Sequence, residues 1–194
     1  MHDLEPYYVW RDLYTAEEDE RSPFYEKTYD EFSFHNKIYN YYIHPQWDEF
    51  GSLTLYTKIL WTDYDEGFAI MEFIGEWNDT LYNDIKFLKR EVIDPMIKEG
   101  IYRFILICEN VLNFHGSDDC YYEEWFEDVI DEGGWVACVN TLKHVEDEML
   151  ATRLQFFIKI GNGLNGINWR KYKPAEILQL VEALVYAHRN QLPH

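Results

Sequence analysis

From Gly51 onward the apolar positions of the chain fall into two periods, and the switches between them mark out the elements. Residues 53–62 alternate apolar and polar side chains, as do residues 68–77, with the turn-forming run Thr-Asp-Tyr-Asp-Glu-Gly between them. That pattern predicts an antiparallel hairpin. Asn78, Asp79 and Thr80 then offer N-caps for a helix whose apolar positions, Leu81, Ile85, Leu88, Val92 and Met96, advance by three or four residues. Gly100 ends it, and Pro95 interrupts its last turn.

The run 101–108, Ile-Tyr-Arg-Phe-Ile-Leu-Ile-Cys, is nearly all apolar and predicts a strand covered on both faces. Tyr122, Trp125, Phe126, Val129 and Ile130 have helical spacing, residues 135–139 read as a second buried strand, 145–150 as a short helix and 156–160 as a final strand. After a Gly/Asn-rich loop, Pro174 opens a terminal helix with Ile177, Leu180, Val181, Leu184 and Val185 on one face. The order β-β-α-β-α-β-α-β-α predicts an α/β fold over 51–194, with a mixed, mostly parallel sheet and helices packed on it.

Residues 1–50 have another texture and read as an N-terminal extension. They are crowded with Tyr and acids, Glu17 to Glu20 forming an unbroken acidic run. Residues 1–23 read as an irregular, partly mobile arm, and 34–43 as a strand stopped by Pro45.

With 47% apolar residues the chain can build a core without disulfide or metal staples. Its 36 acids against 17 Lys and Arg, a formal charge of −19, oppose binding to nucleic acid and to anionic membranes, since both require neutralised phosphates. No apolar run approaches the roughly 20 residues of a membrane span, and the start lacks a basic-then-apolar leader, so a cytoplasmic protein is expected. Cys108, Cys120 and Cys138 lack metal or redox spacing and are expected as buried thiols.

The charge is not spread evenly. Residues 112–132 carry Asp118, Asp119, Glu123, Glu124, Glu127, Asp128, Asp131 and Glu132 with no Lys or Arg. Phosphate-cradling and nucleophile-elbow motifs are absent: Gly161, Gly163 and Gly166 follow the last strand without opening a helix. The histidines make no i, i+4 pair, so no metal or other cofactor is expected. The most informative stretch is 111–120. Ser117 there reads as an N-cap, with Asp118 and Asp119 favouring the positive end of the helix dipole.

From Leu53 to His188 these segments resemble a STAS domain, the fold of bacterial anti-anti-sigma factors and of the cytoplasmic tails of sulfate transporters. The resemblance is carried by the strand ending Phe73-Ile-Gly-Glu-Trp-Asn-Asp79, the strand 104–108, Val111-Leu-Asn-Phe114 leading into Ser117, the strand Gly134-Trp-Val-Ala-Cys-Val139, and the terminal helix beginning Pro174-Ala-Glu. In regulatory members the loop before the second helix reads approximately Phe-x-Asp-Ser-Ser/Thr-Gly, and its first Ser is phosphorylated by a partner kinase. Ser117 falls on that position, with Gly116 in place of the Asp, Asp118 in place of the next Ser or Thr, and Asp119 in place of the Gly.

The resemblance implies a non-enzymatic, bacterial, anti-sigma-antagonist-like regulator with Ser117 as candidate phosphoacceptor. Asn113, His115, Gly116, Asp118, Asp119 and Glu123 are the candidate contacts to a protein partner with a basic patch, kinase or anti-sigma-like. Two further readings stand beside it. One is a small-molecule-binding protein or enzyme with an aromatic pocket between the N-terminal segment and the sheet. The other is a homodimer through the edge strand of the hairpin.

Overall fold

The computed structural model describes residues 4–30 and 32–189; the first three residues of the predicted arm lie outside them. Residues 34–43 form two short antiparallel strands, β1 (Lys37–Ile38) and β2 (Tyr41–Tyr42), where one strand was expected. Tyr39, with φ +53°, reverses the chain between them.

Four strands make the main sheet in the order β3 (Leu55–Asp63), β4 (Phe68–Asn78), β5 (Arg103–His115) and β6 (Trp135–Val139). β3 runs antiparallel to β4, whereas β4, β5 and β6 are parallel. This is the mixed, mostly parallel α/β architecture expected from the element order. Gly75 lets β3 and β4 close: at φ +121°, an added Cβ would lie 2.0 Å from the Thr54 carbonyl oxygen.

Between β4 and β5 the expected single helix is broken into α1 (Asp79–Tyr82), α2 (Asp84–Leu88), a wide turn over residues 89–93, and α3 (Asp94–Lys98). Asn83 adopts a left-handed conformation (φ +55°), which rotates α1 off the apolar stripe. Leu81, expected in the core, is consequently 73% exposed. Pro95 sits in the first turn of α3, where its missing N–H costs nothing. α4 (Cys120–Ile130), α5 (Lys143–Ala151) and α6 (Pro174–Arg189) follow near their expected places.

The expected fifth strand is reduced to one parallel bridge, Ala137 with Lys159. Left-handed Arg153 (φ +64°) and the tight helical turn Leu154–Phe156 use up the residues that would have extended it.

Both faces of the sheet are covered, so the alternation read in residues 53–77 does not leave a wet face: β4 is buried along its length except at Glu76. Phe73, Trp77, Phe104 and Trp125 belong to the core under α1–α5, while Phe68, Ile105, Ile177 and Val181 belong to that under α6. The N-terminal extension supplies Ala16 and Phe24 to the first core and Trp10 to the second. The outer edge of β3, the expected homodimer edge, is met at Thr57 by Asp48, which exchanges two backbone hydrogen bonds with it. Among the described residues no helix is long and apolar enough to cross a membrane.

Candidate functional site

The predicted site lies at the carboxyl ends of the parallel strands, the end at which open α/β sheets place their ligands. β4 and β5 finish side by side, Trp77 opposite Phe114 and Asn78 opposite His115. Beneath them lies a carboxylate that links three elements. Asp79, 3% exposed, accepts hydrogen bonds from the Tyr122 hydroxyl at 2.5 Å, the Ile85 N–H at 2.9 Å and the Trp77 indole N–H at 3.1 Å. Burial pushes its carboxyl up to about 6, and these donors oppose the rise. Asp84 is also raised by burial, and the Asn78 N–H donates to it at 2.7 Å. Tyr122 belongs to α4, so the buried carboxylate fixes where that helix begins.

Residues 116–119 bridge β5 and α4. Gly116 passes under the end of α5, where a Cβ would come within 2.6 Å of Thr152 Cγ2, and its carbonyl accepts from Thr80 Oγ1 at 2.8 Å. Ser117 is exposed and its hydroxyl has no partner among the described residues; it is not the N-cap. Asp119 holds that position, and Asp118 Oδ1 accepts from the Cys120 N–H at 2.8 Å, a bond that holds the Asp118 carboxyl below its usual range. The helix starts later than expected because β5 continues to His115 along the extended β4.

Gly116, Ser117, Asp118 and Asp119 are therefore together, with Glu123 one turn along α4 and His115 exposed at the strand end. Asn113 stands apart. Its amide approaches Glu76 Oε1 at 3.4 Å, and the same oxygen accepts from the Tyr39 hydroxyl at 2.7 Å, tying the small hairpin to the sheet.

The acids of α4 divide into two flanks. Glu124 and Asp128 face the wide turn, where buried Lys89 donates to Asp128 at 2.7 Å and Arg90 grips Glu124 with its two terminal guanidinium nitrogens. Asp94 joins them, and although burial opposes it, Lys89 and Arg90 hold its carboxyl low. Oxygens of Asp94, Glu124 and Asp128 lie within 4.8 Å of one another, but the Lys89 ammonium already supplies positive charge there, which argues against a metal ion. On the other flank Asp119, Glu123, Glu127 and Asp131 follow one another every four residues, with no cation paired to them among the described residues.

A second polar cluster escaped the sequence reading. Glu72, 1% exposed in the middle of β4, accepts the Tyr7 N–H at 2.9 Å and has Arg170 at 3.6 Å; Glu109 accepts from Arg170 as well. Burial pushes the Glu72 carboxyl up to about 7. Its sign in the sequence was a lone acid inside an otherwise apolar strand.

The residues before the small hairpin also bring aromatic side chains to the sheet. Tyr7, Trp10 and Trp169 pack edge to face, and the space beside them is about 10 Å³, room for one water. Cys108 and Cys138 are buried as expected, whereas Cys120 is exposed at the start of α4.

Sheet order, strand directions and intervening helices make this an α/β fold with a mixed, mostly parallel four-stranded sheet. No protein-family model matches the chain, and no curated protein does. Among solved structures it is similar to a protein of Thermotoga maritima described as a "putative anti-sigma factor antagonist", at 16% identity and a TM-score of 0.42, over 65% of this chain and 92% of that one.

Proposed function

We propose that this chain is a non-enzymatic regulatory module of the bacterial cytosol that docks a protein partner carrying a basic patch, in the manner of anti-sigma antagonists. Its folding unit is 51–194, with 1–50 as an extension packed on it. The working surface is the loop 113–119 with the outer flank of α4.

The observation that carries this reading is the contrast between the two flanks of α4. Lys89 and Arg90 neutralise Glu124 and Asp128, whereas Asp119, Glu123, Glu127 and Asp131, running from the loop along the whole of α4, have no paired cation among the described residues. Like charges four apart on a helix cost about 0.2–0.5 kcal/mol per pair. A cationic partner turns that cost into attraction and a faster encounter.

Exposed Ser117 has the accessibility that a kinase needs. A phosphate there adds about −1.5 to −2 charges next to Asp118 and Asp119, so phosphorylation would repel an acidic surface and strengthen attraction to a basic one.

The test is mixing with kinases and anti-sigma proteins of its own host. The reading predicts a complex that weakens with salt and is lost in the double variant Asp118→Lys, Asp119→Lys. An equal affinity for wild type and variant, or no complex, refutes it.

A further inference from the structure

β6 ends the sheet, and the segment after it covers its outer side incompletely. Residues 156–160 meet β6 at one bridge, Lys159 with Ala137, and the tight turn Leu154–Phe156 carries the chain away before it. A space of about 460 Å³ opens beside the start of β6. Its walls are apolar: Phe126 and Ile130 from α4, Phe157 and Ile160 from the returning segment, Leu184 and Val185 from α6. Interiors are close-packed with few voids larger than a water, and an apolar cavity of roughly 150 Å³ already holds benzene. This one falls within the roughly 300–1,000 Å³ of ligand pockets and has room for two rings. It lies by the amino end of β6 and the last turn of α4, whereas the loop 116–119 follows the carboxyl end of β5, so the two sites are separate.

A buried polar group in that wall lacks a partner. Trp135 opens β6, is 3% exposed and lines the cavity, and its indole N–H has no acceptor among the described residues. An indole N–H only donates, so the group that relieves it must be an acceptor. The wall selects no charge: among the described residues no acid lines it, and its Lys159 is already engaged. Burying an ion there is opposed, whereas a neutral carbonyl brings the missing acceptor without that cost. Phe126 and Phe157, edge to face at 6.2 Å, offer the wall's ring contacts.

We propose that this cavity binds a neutral aryl ketone of two or more rings, its carbonyl oxygen accepting from the Trp135 indole N–H and its rings held between α4 and α6.

The experiment uses the full chain, titrated with benzophenone, two rings joined by a carbonyl, and separately with diphenylmethane, which has a methylene in place of the acceptor. Calorimetry and thermal unfolding are the first readouts. Irradiation of the benzophenone complex is the third: the carbonyl carbon bonds to a nearby side-chain carbon, the oxygen takes its hydrogen, and peptide mass spectrometry locates the adduct. Expected are a rise in Tm with benzophenone, binding about threefold to tenfold tighter than that of diphenylmethane, and adducts on residues 126–130, 155–160 or 184–186. Trp135→Phe keeps a ring in the wall and removes the donor. It lowers benzophenone to the affinity of diphenylmethane, with the fold checked by circular dichroism. Benzophenone that neither raises Tm nor marks the cavity wall overturns the proposal, as does an affinity no greater than that of diphenylmethane; wild type alone decides both. A ketone preference that survives Trp135→Phe overturns the role of the indole and the proposal with it.

Discussion

Glu72→Gln makes the most quantitative test of the buried polar groups. The carboxyl lies in the middle of β4 at 1% exposure, and burial raises it from the ordinary 4.5 to about 7. A raised carboxyl binds its proton more tightly in the folded chain than in the unfolded one. Its contribution is therefore greatest below about pH 4.5 and is lost as pH climbs through 7. At about 1.4 kcal/mol per tenfold change in proton affinity, the full gap is worth about 3 kcal/mol. Asp79, raised to about 6, adds to the decline mainly at lower pH. Linkage for the two groups together predicts that wild type loses about 4 kcal/mol between pH 5 and pH 8, and that Glu72→Gln loses about 1.5. The amide keeps an oxygen for the Tyr7 N–H, so the variant retains that bond. Urea unfolding at pH 5, 6, 7 and 8, with the slope of each curve held in common, measures the difference. A variant whose stability falls with pH as steeply as wild type would refute the assignment of the slope to Glu72.

Four further outcomes follow from the site. Lys89→Met leaves Asp94, Glu124 and Asp128 without their buried cation and costs about 2 kcal/mol, less than the roughly 3–5 of a fully buried pair because Glu124 and Asp128 are over a third exposed. Thermal unfolding with millimolar calcium then raises Tm more in that variant than in wild type, since there Arg90 alone opposes the three carboxylates. Ser117→Ala changes stability by less than about 0.5 kcal/mol, because that hydroxyl caps nothing, whereas Asp118→Ala lowers Tm by removing the acceptor of the Cys120 N–H. Protein isolated from its host carries a mass increment of about 80 Da that Ser117→Ala removes, as one phosphate requires; an unmodified mass across growth conditions overturns phosphorylation at that residue.

Much of the sheet was legible because the first two strands alternate in polarity and the next two begin as nearly pure apolar runs. β6 matches residues 135–139, and Pro174 marks the start of α6, where its ring fits the first turn. The misreadings have local causes. Leu81 kept the helical period, but the left-handed Asn83 that moves it off the core face is a residue type common in both helices and turns. Residues 156–160 have strand composition, and the tight turn ahead of them leaves one bridge. β5 runs on to His115 through Glu109, Asn110 and Asn113, polar residues that end an apolar run in the sequence yet pair with the equally long β4. That extension moved the helix start past Ser117 and gave Asp118 the capping bond. The acidity of α4 was visible, but its division into two flanks was not, because Lys89 and Arg90 arrive from a helix more than thirty residues earlier in the chain.

Hydrogen exchange of the chain, alone and mixed with a kinase or anti-sigma protein of its host that it binds, tests the docking surface most directly. The account predicts slowed exchange confined to residues 113–131, diminishing as salt is raised. Protection that falls instead on α6 or the N-terminal segment, with 113–131 unchanged, would contradict it.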